Sequence, residues 1–479
     1  MTTGPPLPSA TAVDRARDSA RRQARTLSSG LVMVLGIAAA VFAVVIFAVL
    51  DYGFDQDPHR LFKLTLGAAL LASILLKPRL GLFVVPLAAP FILWLPKLPL
   101  PGLNTLNILI GSVFFSFAMV RLLRREPIFR NGAVGSRLML LLLVCGLWIF
   151  RGAGFPTGYE YNPAAAGLEL FRTTMTFCVF FITLAMTRGE RERRWMAWAV
   201  VLGVLAEGLV TIWLGRNYRG RASGSIAQPN DLAAYFAMFT PLCAALIFAV
   251  RNLWARLALV LAVVVGSVGV VLTISRGGIL AFAIAMGLVS LRSSRALSIL
   301  LVVALLASPA WAPDFLKERI VGTQIEDENS DEKELEGSSA DRVETWRTIG
   351  NLVANHPIEG VGFGGLGYVL SSISTTLPTD IKDSAHNTYL RYLGEMGLVG
   401  LGLFLWLLWT CWSLAETGRR RARLAFDRQL ALGFGAAALA MAVSCMFGDR
   451  FAQVTIGGNF WVLAALVTDM VQERGADPA

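Results

Sequence analysis

Apolar runs of roughly 15–22 residues recur along this chain, divided by short polar connections. A bilayer core needs about 20 residues of helix, so each run reads as a candidate membrane span. The candidates fall at roughly 31–50, 61–76, 79–95, 104–122, 136–150, 166–186, 194–214, 229–249, 255–274, 277–291, 296–312, 393–414, 428–447 and 455–472. The runs at 61–76, 79–95 and 277–291 are short, which leaves the count at twelve to fourteen. The pattern predicts an all-α fold: a polytopic transmembrane helical bundle with one long outer loop that contains amphipathic helices. The predicted organisation is a basic tail at 1–30, eleven spans within 31–312, the loop at 313–392, the last spans within 393–472, and a tail at 473–479.

Charge gives the orientation. Lys and Arg favour the cytoplasmic side of spans. The tail carries Arg15, Arg17, Arg21, Arg22 and Arg25, and then every second connection is short and basic, at 77–79, 121–130, 187–194, 251–256, 292–295 and 419–428. Both termini are therefore expected in the cytoplasm, and these loops are read as solvated and topology-setting. They account for much of the net charge of +10 without a nucleic-acid partner. A composition 55% hydrophobic and 16% charged excludes an ordinary soluble domain. The five cysteines sit inside apolar runs and read as packing residues; no spacing suggests a metal site, and no cofactor is expected.

One connection is long, at 313–385. It holds an acidic run, EDENSDEKELEGSSAD (326–341), read as a mobile solvated surface. Beyond it, Val343, Trp346, Ile349 and Val353 recur at helical spacing, with Asp341 and Glu344 as a capping box and Pro357 as the stop. The following GVGFGGLG (360–367) reads as a turn returning the chain to the membrane rather than as a nucleotide loop.

Ionisable groups within spans are expensive, so their depth is informative. Glu169, Arg172, Glu207, Arg276 and Glu395 all fall toward the outer ends of their spans. A transporter of lipid-linked sugars should instead carry polar groups through the full depth, with a cytoplasmic cluster to match. Arg216, Arg219, Arg221, Arg276 and Arg450 lie outside, against the usual bias. Snorkelling anchors are the plain reading of any one of them. As a group they suit an oxyanion, because the guanidinium fork donates two parallel hydrogen bonds and keeps its charge. His386 starts the twelfth candidate span in a chain with three histidines. An imidazole can take a proton at neutral pH, so it could serve an attacking hydroxyl, or simply cap its helix.

Three stretches carry a family resemblance. NHPIEGVGFGGLG followed by HNTYLRYLGEMGLVGLGLF, RASGSIAQPNDLAAYFAM (221–238) and TISRGG (273–278) resemble the O-antigen ligase and polymerase superfamily over about 190–450. The resemblance implies a metal-independent GT-C-type glycosyltransferase of the bacterial inner membrane. It implies an undecaprenyl-diphosphate-linked glycan as donor, substrate rather than cofactor, and a site facing the periplasm, so that the long loop is periplasmic. Acceptors implied are a lipid A-core sugar for a ligase, a second lipid-linked glycan for a polymerase, or a protein hydroxyl. Carried onto matching positions, His386 is the catalytic residue, and Arg221 and Arg276 hold the donor diphosphate. Asn387 and Asn230 match motif positions, while Glu395 and Gly397 match positions that shape the helix. Arg216, Arg219, Arg342, Arg347, Arg391 and Arg450 are further candidates on charge alone. Two departures stand out: fourteen candidate spans where the ligases have twelve, and the acidic run, read as an insertion.

Overall fold

A computed structural model describes residues 77–94, 104–154, 161–215, 220–294, 324–326, 333–335, 337–373 and 385–475, with isolated positions at 74, 298–299 and 303. Its helices are α1 (Pro78–Ala88), which runs into a 3₁₀ turn (Ala89–Trp94), α2 (Thr105–Leu123), α3 (Ala133–Ala153), α4 (Pro163–Met186), α5 (Gly189–Gly215), α6 (Pro229–Ile247), α7 (Leu253–Leu272) and α8 (Arg276–Ser293). After these come α9 (Gly337–Asn355), α10 (Leu366–Ile373), α11 (Thr388–Arg421), α12 (Ala425–Ser444) and α13 (Val454–Gly475). Ten of them (α2 to α8 and α11 to α13) are long and apolar enough to cross a membrane. Each coincides with a predicted span. The candidate at 79–95 is shorter than a span, because Pro86 and the 3₁₀ turn break it up. The candidates at 31–50, 61–76 and 296–312 lie wholly or largely outside the described residues, as does the basic tail.

The chain divides into two compact units, Met1–Gly81 with Gly111–Ile128, and Leu82–Ile110 with Phe129–Ala479. Within the first, Arg121 pairs with Glu126 at 2.6 Å at the end of α2. The second holds most of α1, the start of α2 (Thr105–Ile110) and every other described helix. There α6 packs on α7, α8 and α12, α13 packs on α4, and α11 packs on α3 and α12. Nearly all of α6 and α13 is buried. By contrast, α3, α7 and α11 turn large apolar side chains outward, among them Phe150, Trp254 and Trp409 at 78%, 77% and 65% exposure. Such a surface is untenable in water and ordinary against acyl chains.

Helix starts follow their sequence signals. Asn162, Asn252, Ser275 and Asn387 cap α4, α7, α8 and α11 through their side chains, and Pro163 and Pro229 occupy the first turns of α4 and α6. The amphipathic helix predicted around 343–353 is α9. Ile349 and Leu352 join Val361, Leu366, Val369, Leu370 and Ala385 in a small apolar cluster. The proposed Asp341/Glu344 capping box is not the helix start, because α9 already begins at Gly337. The acidic run is in part structured: Gln324–Glu326 (β1) pairs antiparallel with Lys333–Leu335 (β2), with Ile325 opposite Glu334, and its last residues open α9.

Hydrogen bonds sort the connections of the second unit to two ends. The basic connections gather at one: Arg130 bonds the carbonyls of Leu184 and Thr187, and Arg292 pairs with Glu416 at 2.8 Å. At this end Arg193, 1% exposed, grips both carboxylate oxygens of Asp427 (3.3 and 3.1 Å) and pairs with Asp469 (2.9 Å) and Glu473 (2.6 Å). Arg130 also reaches Asp469, at 2.8 Å. This corrects the sequence reading twice. Arg193 is not solvated, and buried charge is not confined to the other end. Each of these residues stood near a span terminus in the sequence, where periodicity cannot tell an inward face from a wet one.

Candidate functional site

The other end collects the three motifs. Glu207 is fully buried on α5 and accepts from the Ser225 backbone N–H (2.8 Å) and the Thr211 hydroxyl (3.4 Å). Gly224 makes that approach feasible. Its φ is +53°, and a Cβ there would stand 2.2 Å from Glu207 Oε1. So anchored, the loop presents Arg221, whose Nε donates to the Thr273 carbonyl (3.0 Å) and whose Nη2 donates to Asn230 Oδ1 (2.6 Å). The Ser275 hydroxyl donates to the same Oδ1 at 2.9 Å, and Ser275 in turn caps α8, whose first residue is Arg276. Two motifs some fifty residues apart thus form one hydrogen-bonded unit.

The turn between α12 and α13, Cys445–Gln453, ties this unit to the histidine. Arg450 pairs with Asp231, the neighbour of Asn230. Burial pulls the Arg450 guanidinium down to about 10, still well above neutrality, so the contact remains ionic. A Cβ on Gly277, next to Arg276, would lie 2.6 Å from Phe447. On the turn's other side, Thr388 donates its N–H to the Cys445 carbonyl (2.8 Å) and its hydroxyl to the Gly448 carbonyl (2.9 Å).

His386 is held between these anchors. Trp346 of α9 donates its indole N–H to the Ala385 carbonyl (3.1 Å), and Asn387 caps α11 by accepting from Tyr389 and Leu390 (3.0 and 3.2 Å). His386 itself has φ +46°. Among the described residues four non-glycines take positive φ, and Ala227 (+82°), Ile274 (+51°) and His386 each sit in one of the three motif stretches. Left-handed backbone at a non-glycine costs on the order of 1–3 kcal/mol and concentrates at functional sites.

Helix α11 is broken where the signature glycine stands. Gly397 has φ +63°, ψ −157°, and a Cβ there would lie 2.1 Å from the Ile358 carbonyl. The chain from 357 to 362 inserts at the break: Leu398 N–H donates to Pro357, while Val361 and Gly362 donate to the carbonyls of Gly394 and Glu395 (2.8, 3.0 and 2.8 Å). The Gly-rich turn and the E-x-G motif are therefore two halves of one joint. Tyr161 and Trp148 brace it by donating to the Phe363 and Glu359 carbonyls, at 2.6 and 2.5 Å. Burial pushes the Tyr161 phenol up, which keeps it a donor. Glu359's own backbone N–H, with His356 and Arg151, holds its carboxyl below the usual range.

Beside the joint, Arg391 is met by three carboxylates, those of Asp449, Glu169 and Glu395, the last at 3.3 Å. A cavity of about 420 Å³ opens here, lined in part by Glu169, Arg172, Ala385, Arg391, Glu395 and Asp449.

The structure thus joins Arg221, Asn230 and the Arg276 turn directly, and links them to His386 and Asn387 through Arg450 and the Cys445–Gln453 turn. Arg391 is engaged by acids, and Arg450 by Asp231. Arg342 and Arg347 lie on α9, with Arg347 exposed. Arg216 and Arg219 lie outside the described residues. Asp231, Ser275, Thr388 and Asp449 were missed from the sequence. The pairs Asn230–Asp231 and Asp449–Arg450 were available signals, each an acid adjoining a chosen residue.

In comparison with known proteins, no curated protein matches the chain. Residues 261–405 match the family model described as O-Antigen ligase. That stretch contains Arg276, His386 and the broken part of α11, while Arg221 and Arg450 lie beyond it. The match covers the turn and helix start that carry two of the candidate residues, and it supports the resemblance of this part of the chain to the O-antigen ligase superfamily.

Proposed function

We propose that this membrane protein is an O-antigen ligase-like glycosyltransferase. It moves a glycan from an undecaprenyl-diphosphate carrier to a hydroxyl of a lipid A-core sugar at the periplasmic face of the inner membrane. The observation that carries the reading is the union of Arg221, Asn230, Ser275 and the Arg276 turn in one cluster, at the bundle end that also holds His386. His386 receives the proton of the acceptor hydroxyl. The freed oxygen attacks the anomeric carbon, the bond from that carbon to the diphosphate breaks, and its electron pair leaves on the diphosphate. Arg221 and Arg276 stabilise that developing charge with forked donors. No step calls for a metal.

A polysaccharide polymerase, with a second lipid-linked glycan as acceptor, would use the same parts. A carrier of lipid-linked sugars gains one argument, the buried charge at the basic end. Those side chains, however, pair with one another, and none of Arg193, Asp427 and Asp469 lines the site's cavity. The deciding experiment reconstitutes the protein with a purified lipid-diphosphate glycan and either lipid A-core or excess donor alone. Transfer to lipid A-core supports the ligase, chain growth supports the polymerase, and translocation without a new glycosidic bond rejects both.

A further inference from the structure

The loop that carries Arg221 does not lie on top of the bundle; it dips into it. Ala222, Ser225 and Ile226 are buried, at 8%, 0% and 4% exposure. Ser225 meets Glu207, which stands eight residues before the end of α5 at Gly215. At 1.5 Å rise per residue that is about 12 Å below the helix end. Irregular backbone at such a depth has no water to bond, so each N–H needs a partner from the protein. The Ala222 N–H finds the Leu272 carbonyl at the end of α7, at 2.9 Å, and the Ser225 N–H finds Glu207 Oε1.

Small residues bring the carboxyl to this place. Gly208, next to Glu207, lets α5 come against α7, since a Cβ there would stand 2.4 Å from Val265. Gly224 clears the loop's side of the contact in the same way, and Thr211, one turn on, donates to the same oxygen. The other half of the carboxyl is idle. Oε2 is buried without a hydrogen-bond partner, and no cation among the described residues pairs with Glu207. A negative charge left so would be heavily penalised in a bilayer. What the fold draws on is a single acceptor oxygen, bonded four residues beyond Arg221.

We propose that Glu207 is a positioning residue for the donor diphosphate. Through Ser225 it sets the depth of the loop and thereby aims the Arg221 guanidinium, and it does so as a hydrogen-bond acceptor rather than as a charge. The guanidinium's bonds to the Thr273 carbonyl and to Asn230 then complete an alignment that begins inside the bundle. The inference rests on the glycosyl-transfer reading and adds to it a residue that acts on donor affinity without touching the donor.

The test uses the purified full-length protein in nanodiscs. Binding of a short-chain polyprenyl diphosphate is read by calorimetry, beside transfer kinetics with a purified lipid-diphosphate glycan. Glu207→Leu should weaken diphosphate binding and raise donor KM about tenfold, as the loss of one buried hydrogen bond would, with acceptor KM unchanged. Glu207→Gln keeps the acceptor oxygen and should restore both values to within about twofold. Gly224→Ala strikes the same contact from the loop side and should copy Glu207→Leu; it decides the matter if Glu207→Leu does not fold. Added to Arg221→Lys, Glu207→Leu should cost less than about twofold more, because two residues acting through one contact are not additive. A wild-type protein that does not bind the diphosphate, wild-type affinity in folded Glu207→Leu or Gly224→Ala, a glutamine variant as impaired as the leucine, or losses that multiply in the double variant overturns the assignment. Diphosphate binding that depends on Glu207, without glycan transfer by the wild-type protein, would reject the transferase reading and leave the positioning role standing.

Discussion

The two ends of the second unit use buried charge in different ways. At the basic end, Arg193 sits on an unbroken helix, and the carboxylates of Asp427, Asp469 and Glu473 engage its guanidinium. At the other end Arg221, Asp449 and Arg450 ride on turns, three turns there hold a non-glycine in the left-handed region, and Asp449 lines a cavity with Glu169, Arg172, Arg391 and Glu395 of α4 and α11. The helices are shared: α5 carries both Arg193 and Glu207, about 20 Å apart at 1.5 Å rise per residue. One end fastens helices that cross a bilayer, where an unpaired charge has no water to fall back on. The other keeps polar groups poised at some cost in strain, which is what a reacting centre requires.

The largest expected effects separate these roles. His386→Ala should lower glycan transfer by about 10²–10⁴-fold, the usual worth of a positioned proton acceptor, with an unchanged melting temperature. Retained transfer with a purified lipid-linked donor would remove the histidine from the chemistry. Arg193→Ala should do the reverse. It leaves Asp427 buried without its cation and Asp469 with Arg130 alone, which costs about 3–5 kcal/mol, while turnover per folded molecule holds. Thermal melting in detergent beside an activity assay reads both. If His386→Ala or Arg193→Ala moved both readouts alike, the distinction would be erased.

Much of this architecture was legible in the sequence. Ten helices fell on predicted spans because an apolar run of about 20 residues has few other fates. The motif stretches fell at one end because alternating spans leave them no choice. Pairing was harder to read. Only Glu395, four residues on, is a legible partner of Arg391; Asp449 and Glu169 lie 58 and 222 residues away, and Asp231 meets Arg450 on a turn whose shape depends on packing. The Gly397 break was hidden for a related reason. Leu398 and Val399 continue the apolar run, so the hydropathy pattern passes over the break, and the inserted 357–362 segment appears only in three dimensions.

That joint gives the next effect. Gly397→Ala places a Cβ against the Ile358 carbonyl at a positive φ, so the Gly-rich turn must move. A loss of about 2–3 kcal/mol is expected, with transfer impaired as well, because Ala385 and Glu395 share the cavity beside the joint. Arg221→Lys should then cost about tenfold in donor KM with a smaller change in kcat, since lysine keeps the charge and loses the fork. A donor KM equal to wild type would mean that Arg221 serves only to hold Asn230 and Thr273 in place.

The smallest effect tests what strain at this end is for. Ala227 is exposed, with φ +82°, just before the Gln228 and Pro229 that open α6. Ala227→Gly should relieve roughly 1–2 kcal/mol of left-handed backbone, against about 0.4–1 kcal/mol of freedom regained by the unfolded chain. The net change in stability should therefore be slight and favourable, and transfer should be unaffected if the strain only sets the path of the chain. If stability rises while transfer falls, the alanine's restriction itself holds Arg221 and Asn230 in register, and the contrast between the two ends extends from side-chain pairing to the backbone.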